Sequence, residues 1–313
     1  MLVPPASDGV AELLSIGIPT FNRAPFLKDL LLALEQQIQQ DKIPVTAVRI
    51  LVSDNASADA TSEVVRAVAA RLPHLTYFRH PQNIGFTRNA MTCVRQARGR
   101  YCWICGDDEL LQAGGLKALL DLLKADPALS LVVNLRTGYS CRLNRPARFA
   151  SYREYALACA RMQPHILIEH TLVSSNVFRA ELFDPVAAEA WRHTPYAHMY
   201  ALLQPVIAQG GPVMVPAFPL LEVRDQRPPF AEWPANLEQS WLDYLGWQKQ
   251  KLGLDELQPG QAILQVRQEL FHKLTRHPFR YVRNNLRSVL KPSAWAFILK
   301  RLWLHFRSRP PAA

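Results

Sequence analysis

The sequence predicts an α/β protein built on a doubly wound, mostly parallel sheet flanked by helices, with a helical C-terminal extension. Two observations carry that prediction: from Leu13 to about Leu135 the chain holds short apolar runs of strand length, and amphipathic stretches of helical period alternate with them. Strand-helix-strand repetition of this kind implies a mostly parallel, doubly wound sheet.

In order along the chain, "LLSIGI" (13–18), "VRILVS" (48–53), "LTYF" (75–78), "YCWIC" (101–105) and "LSLVVNL" (129–135) read as strands. The intervening helices fall near Pro25–Gln39, Asp59–Arg71, Thr87–Arg98 and Ala113–Lys124. Pro25 suits a first helical turn, and Asp59 or Ala60 stands near an N-terminus rich in Thr, Ser and Glu. Beyond Leu135 the alternation fades. "YREYALACARM" (152–162) reads as a helix, 165–178 mixes strand-like and polar residues, and 194–210 reads as a helix ended by Gly210. Residues 215–234 read as a strand and a long Pro-rich loop, and the chain after Ala235 as mainly helical.

The bulk numbers exclude several classes. With 313 residues, 49% of them apolar, the chain buries a sizeable core and is not disordered. No basic, apolar leader and no apolar run near 20 residues is found, so a cytosolic chain without a membrane span is expected. The five cysteines are odd in number, and Cys102-x-x-Cys105 lies in a strand-like run without a second pair, so reduced thiols are expected rather than disulfides or zinc. The formal charge of +10 is unevenly placed: eleven of the 36 Lys/Arg but one of the 26 acids follow Val266, so the first 266 residues balance. Nothing resembles a nucleic-acid-binding motif, and no nucleic-acid partner is expected.

Open parallel sheets bind ligands beyond the carboxyl ends of their strands. The polar clusters that follow the strand runs are "PTFNR" (19–23), "DNASAD" (54–59), "HPQNIGFTRN" (80–89) and "GDDE" (106–109), and all four are expected on one edge. Together they suit a ligand with a ring to grip and phosphates to neutralise. "SIGIPTFNR", "ILVSDNASADAT", "NIGFTRNAM" and "YCWICGDDEL", in this order and spacing, resemble the family 2 glycosyltransferases. These are inverting enzymes of GT-A fold that use nucleotide sugars, and the closest likeness is to the abequosyltransferase-like group of surface-polysaccharide assembly.

The resemblance implies a role for each motif. A divalent cation, Mg²⁺ or Mn²⁺, held by carboxylates would stabilise the departing diphosphate. In the D-x-D alignment Asp107 faces the ribose and Glu109 the metal; Asp108 is the alternative ligand. Asp54 matches the acid that meets the nucleobase, with an Asx-turn role compatible beside it. Pro19, Thr20, Asn22 and Arg23 would line the nucleotide pocket, with Asn55, Asn83 and Gly85 in the same loops. Arg88 and Asn89 match a pair near the base and diphosphate, the alternative for Arg88 being a surface ion pair.

The family's acidic general base has no E-D counterpart here. The candidates are His198, which opens a helix-like run, and Asp184 as the second choice. Ser175 and Asn176 would line the acceptor side, and Arg224 and Arg227 a lid over phosphate. Residues 1–235 then form the GT-A domain, with a nucleotide-sugar half near 13–135 and an acceptor half near 136–235, followed by a basic helical region, 236–313. "SAWAFILKRLWLHFRSR" (293–309) would form a basic amphipathic helix that either rests on an anionic inner leaflet or packs on protein. The expected partners are a nucleotide-sugar donor and a saccharide acceptor, lipid-linked if the enzyme works at the membrane. The competing readings are a nucleotidylyltransferase and a sugar- or nucleotide-binding module without catalysis.

Overall fold

The computed structural model describes residues 12–133, 146–222 and 237–266. Arg224, Arg227, the 293–309 helix and the last two residues of the 129–135 run lie outside the described residues. The chain clusters into two compact units, one of Met1–Tyr155 with His170–Val223, the other of Ala156–Glu169 with Arg224–Ala313.

In the first unit the predicted strands and helices appear in order, β1 (Leu14–Thr20), α1 (Ala24–Gln40), β2 (Val48–Asp54), α2 (Thr61–Ala69), β3 (Leu75–Arg79), α3 (Phe86–Gln96), β4 (Tyr101–Ile104), α4 (Gly115–Ala125) and β6 (Leu131–Val133), with an unpredicted short strand, β5 (Leu110–Leu111), between β4 and α4. After these come β7 (Ala147–Phe149), the start of α5 (Tyr152–Met162), β8 (Asn176–Arg179), α7 (Pro185–Ala190), α8 (Ala197–Gln209), β9 (Val213–Val215) and β10 (Leu221–Glu222). The second unit holds α6 (Ile166–Glu169), which lies against α9 (Leu237–Leu252).

The main sheet runs in the order β3-β2-β1-β4-β8-β6-β9-β7, while β5 and β10 make a separate antiparallel pair. β3, β2, β1 and β4 are parallel neighbours. β8 enters antiparallel between β4 and β6, with Val177 opposite both Trp103 and Val132. The chain winds outward from β1 through β2 to β3, then returns to place β4 on the other side of β1. The carboxyl ends of β1 and β4 therefore flank the point where strand order reverses, which is where such sheets open a crevice.

All seven residues of β1 are buried because helices cover both faces. Ile16 and Ile18 join Leu27, Leu30, Leu31 and Leu34 of α1 in the core, each such side chain stabilising the fold by about 1.5–3 kcal/mol. On the other face a Cβ at Gly17 would stand 2.4 Å from the Cβ of Cys93, so the glycine lets α3 sit directly on β1. Cys93, Cys102, Cys105 and Cys159 are buried thiols without a disulfide among the described residues, and burial pushes the Cys102 thiol up to about 12.

Gly99 leads from α3 into β4, and a Cβ there would meet only backbone: Ser15 N at 2.6 Å, Leu14 C at 2.8 Å and Tyr101 O at 2.9 Å. Backbone of two paired strands has nowhere to move. Gly99→Ala is therefore expected to cost about 3 kcal/mol, at the upper end of ordinary overpacking. In thermal melts that is a fall of roughly 6–12 °C for a unit of this size. Gly246, inside α9 with nothing within 4 Å of its Cβ position, supplies the opposite sign; Ala there should gain about 0.5–1 kcal/mol of helix stability.

Candidate active site

The four polar clusters meet at the reversal point. At the end of β1, the Thr20 hydroxyl donates to Asp107 Oδ2 at 2.7 Å. Beyond it Asn22 takes a left-handed backbone, φ 53°, which its short polar side chain tolerates. That turn is tied to the loop after β2: Asn22 N–H donates to Ser57 Oγ at 2.9 Å, and Ala58 N–H to Asn22 Oδ1 at 2.7 Å. Asp59 reaches across to accept Ala24 N–H at 2.9 Å, capping α1 in place of Arg23, whose side chain makes no cap. The Arg23 guanidinium, which carries donors only, meets the acids. Its Nε lies 3.2 Å from Asp107 Oδ1, and its NH2 donates to Asp108 Oδ2 at 2.7 Å.

Asp54, at the end of β2, is fully buried. Its Oδ1 accepts Ser57 N–H at 2.8 Å, an Asx turn, and its Oδ2 accepts the Tyr77 hydroxyl at 2.6 Å with Arg79 Nε at 3.6 Å. Between them Ala56 is held at φ 64°, a conformation costly for a residue with a Cβ and kept by the bonds around it. Asn55 bridges to the third cluster, donating to Asn83 Oδ1 and accepting Ile84 N–H, both at 2.8 Å. Gly85, φ 83°, turns the chain into α3. Asn89, one turn on, is spent inside the fold: it accepts from Ser53 Oγ at 2.7 Å and donates to Ser53 O at 2.9 Å. Pro19 is a buried β1 residue paired in register with Ser53.

The acid turn is fixed from behind. Gly106 N–H donates to Ser174 Oγ at 2.9 Å, and the Trp103 indole to Ser174 O at the same distance. Around the bare flank of Gly106, where a Cβ would sit, stand Asp108 Oδ1 at 3.1 Å, Ser174 Oγ at 3.3 Å and Glu109 Oε1 at 3.5 Å. This small oxygen-lined cradle and the carboxylates beside it have the hard-donor chemistry of a Mg²⁺ or Mn²⁺ site. Among the described residues, however, no group of three or more His, Cys, Asp or Glu is converged for an ion. Burial raises Asp107 to about 6, with Arg23 and Thr20 pulling it down and Asp108 pushing it up.

The remaining predicted residues lie elsewhere in the unit. Arg88 pairs with Glu189 at 2.9 Å on an exposed surface, and Arg192 shares that carboxylate. His198, in the first turn of α8, is buried with its Nε2 3.0 Å from Thr171 O, and burial pushes its pKa down to about 4. Asp184 caps α7, accepting Val186 N–H at 2.8 Å and Ala187 N–H at 3.1 Å. Ser175 is buried in a 3-10 turn, Val173–Ser175. Asn176 donates to His170 O at 2.9 Å, and its buried Oδ1 has no hydrogen-bond partner among the described residues. Sequence reading passed over Ser53, Ser57, Tyr77, Arg79 and Ser174, which hold the site's loops; only the Ser and Asp content of "SDNAS" hinted at the first two.

Comparison with known proteins agrees with this arrangement. The sequence profile of Glycosyl transferase family 2 matches residues 15–180. Abequosyltransferase RfbV of Salmonella typhimurium is 34% identical over 127 residues, which span 40% of this chain and 37% of that protein. Among solved structures, S. aureus TarS 1-349 superposes with a TM-score of 0.54 at 14% identity, covering 93% of this chain and 79% of that one. The mannosyltransferase PcManGT from Pyrobaculum calidifontis, in complex with GDP-Man and Mn²⁺, gives 0.55 at 17%, covering 94% and 80%. At such identities the structural likeness shows the shared GT-A fold alone, and the profile, which covers more than half of the sequence, shows the family: the chain belongs to glycosyl transferase family 2.

Proposed function

We propose that the protein moves a sugar, with inversion, from a nucleotide-sugar donor to a saccharide acceptor in bacterial surface-polysaccharide assembly. The observation that carries this reading is the meeting of Thr20, Arg23, Asp107 and Asp108 where the sheet reverses order. The names of the relatives support it: RfbV is an abequosyltransferase, TarS has been solved with UDP-GlcNAc, and PcManGT with GDP-Man and Mn²⁺.

In this reading Asp54, Asn55 and Asn83 shape the seat of the nucleoside, and Pro19, Thr20 and Asn22 line its inner wall. Arg23 and Arg88 supply guanidinium groups to phosphate. Asp107, Asp108 and Glu109 would hold Mg²⁺ or Mn²⁺, which when bound neutralises charge on the leaving diphosphate. Ser175 and Asn176 face the acceptor. In this reading His198 receives the acceptor hydroxyl proton; burial, which pushes its pKa down to about 4, keeps the ring neutral at pH 7 and at the same time makes it a weaker base than a free imidazole. Replacing His198 by Ala should lower transfer by about 100-fold, the modest end of acid–base effects, while Asp184→Asn leaves it near normal. Near-full activity in His198→Ala overturns that assignment, and loss in Asp184→Asn alone moves the role there.

No helix among the described residues is long and apolar enough to cross a membrane. Attachment to an anionic inner leaflet through residues 293–309, beside a lipid-linked acceptor, belongs to the same proposal.

The decisive experiment is release of nucleoside diphosphate from a panel of sugar nucleotides with Mn²⁺ or Mg²⁺. Turnover of one donor is expected. A second reading, a binding module without catalysis, draws on the engagement of both base candidates, His198 with Thr171 O and Asp184 with α7. It requires nucleotide affinity with no turnover on any donor. Absence of nucleotide binding overturns both.

A further inference from the structure

The guanidinium of Arg23 lies across two of the three motif acids at once, with Nε toward Asp107 Oδ1 and NH2 on Asp108 Oδ2. One planar fork thus spans two carboxylates of adjacent residues, a geometry that a point-charge ammonium does not reproduce. The bridge joins unlike environments. Asp107 is 7% exposed at its side chain, whereas Arg23 and Asp108 are each 41% exposed. Pairs as exposed as the Asp108 arm contribute only about 0–1 kcal/mol, so the bridge is built to open. Arg23 also lies over the Phe26 ring, 5.0 Å from its centroid, which gives the guanidinium a resting face on α1.

The carboxylates it occupies are those a divalent ion would need. Asp107 Oδ2 already accepts from Thr20, which leaves Oδ1, the atom facing Arg23, as the less committed oxygen of that carboxylate. Asp108 Oδ1, by contrast, stands at the Gly106 cradle with Glu109 Oε1, on the oxygen that Arg23 does not hold. An incoming ion could begin at that cradle and would add a carboxylate oxygen to the phosphate and water of its shell by taking Asp107 Oδ1 from the guanidinium. A displaced guanidinium then stands at the edge of the crevice, and its best available partner is a phosphate, which it meets in bidentate fashion.

We propose that Arg23 is a resident counter-cation: it competes with the divalent ion for Asp107 and Asp108, and passes to the donor's diphosphate when the ion enters. The proposal rests on the ion-binding reading of the acids given above. It makes Arg23 a donor-contacting residue that couples ion uptake to diphosphate capture.

The test uses the full chain and two binding readouts that need no turnover. Mn²⁺ affinity without nucleotide, by calorimetry or electron paramagnetic resonance, is compared for wild type, Arg23→Gln and Arg23→Lys; then UDP and GDP affinities are measured at saturating Mn²⁺. Removing the competitor in Arg23→Gln should tighten Mn²⁺ binding about threefold or more, the size of a partly exposed ion pair. The same change should weaken the nucleoside diphosphate by about tenfold, the size of a charged hydrogen bond. Arg23→Lys keeps the charge and loses the fork, so its Mn²⁺ affinity should fall between wild type and Arg23→Gln while diphosphate affinity falls. Unchanged or weaker Mn²⁺ binding in Arg23→Gln overturns this inference alone. A wild-type chain that takes up no Mn²⁺ overturns the ion-binding reading together with it.

Discussion

Asp107→Asn is expected to lower sugar transfer by about 100- to 1,000-fold, the scale of losing one group that stabilises transition-state charge, while making the folded protein more stable above pH 6. The two effects have one cause. Burial raises the Asp107 carboxyl to about 6, above its ordinary value near 3.9. A group raised in this way binds its proton more tightly in the folded state, so its stability contribution is present at low pH and is lost as pH rises through about 6. At pH 8 the buried charge therefore costs on the order of 1–3 kcal/mol, which the neutral amide avoids while still accepting from Thr20. Melting curves at pH 8 and pH 5 check this, since the stability gain should shrink at the lower pH. A variant less stable than wild type at both values would show that Asp107 serves the fold through Thr20 and Arg23 rather than a ligand.

Acid should destabilise the chain well before ordinary carboxylate titration is complete. His170 and His198 are buried and neutral, and burial pushes them down to about 3 and about 4. The unfolded chain, with imidazoles near 6.5, binds more protons in that range, so the stability they contribute is full above 6.5 and is lost as pH falls toward 4. By pH 4 each forgoes roughly 3 kcal/mol, at 1.36 kcal/mol per unit. Asp107 acts the other way and returns about 2 kcal/mol over the same span. The two histidines win, leaving a net loss of about 4 kcal/mol, a large share of a domain's 5–15 kcal/mol. Urea denaturation at pH 7, 5.5 and 4 measures it; equal midpoints at pH 7 and pH 4 would contradict two neutral, enclosed imidazoles. His170 is packed against the Tyr155 ring, which hydrogen-bonds it, so protonation also costs an interior contact.

The parts of this architecture that were legible in the sequence share a physical origin. β1, β2 and β4 are continuous apolar runs because helices cover both their faces, and such runs announce themselves. β8 did not, because four residues, "NVFR", pair antiparallel between strands distant in sequence, and no local pattern carries that information. β5, two residues long, was equally silent, whereas β10 falls in the 215–234 stretch that reads as a strand and a loop. At the site, the residues that stood out were polar groups at strand ends: Thr20, Asp54, Asn55, Asp107. Their partners did not, because Tyr77 and Arg79 look like ordinary strand residues and Ser174 is one serine of a pair. The Arg88–Glu189 contact joins residues 101 positions apart, a separation that motif spacing within one loop cannot anticipate.

The late insertion of β8 also bears on how the chain matures. Tyr101, Cys102 and Trp103 align with Arg179, Phe178 and Val177, so one side of β4 has no hydrogen-bonding neighbour until about 75 further residues have left the ribosome. An open strand edge of that composition invites pairing with other nascent chains. Synthesis rate and chaperone supply, more than final thermodynamic stability, should therefore govern how much of this protein reaches its native state in a cell.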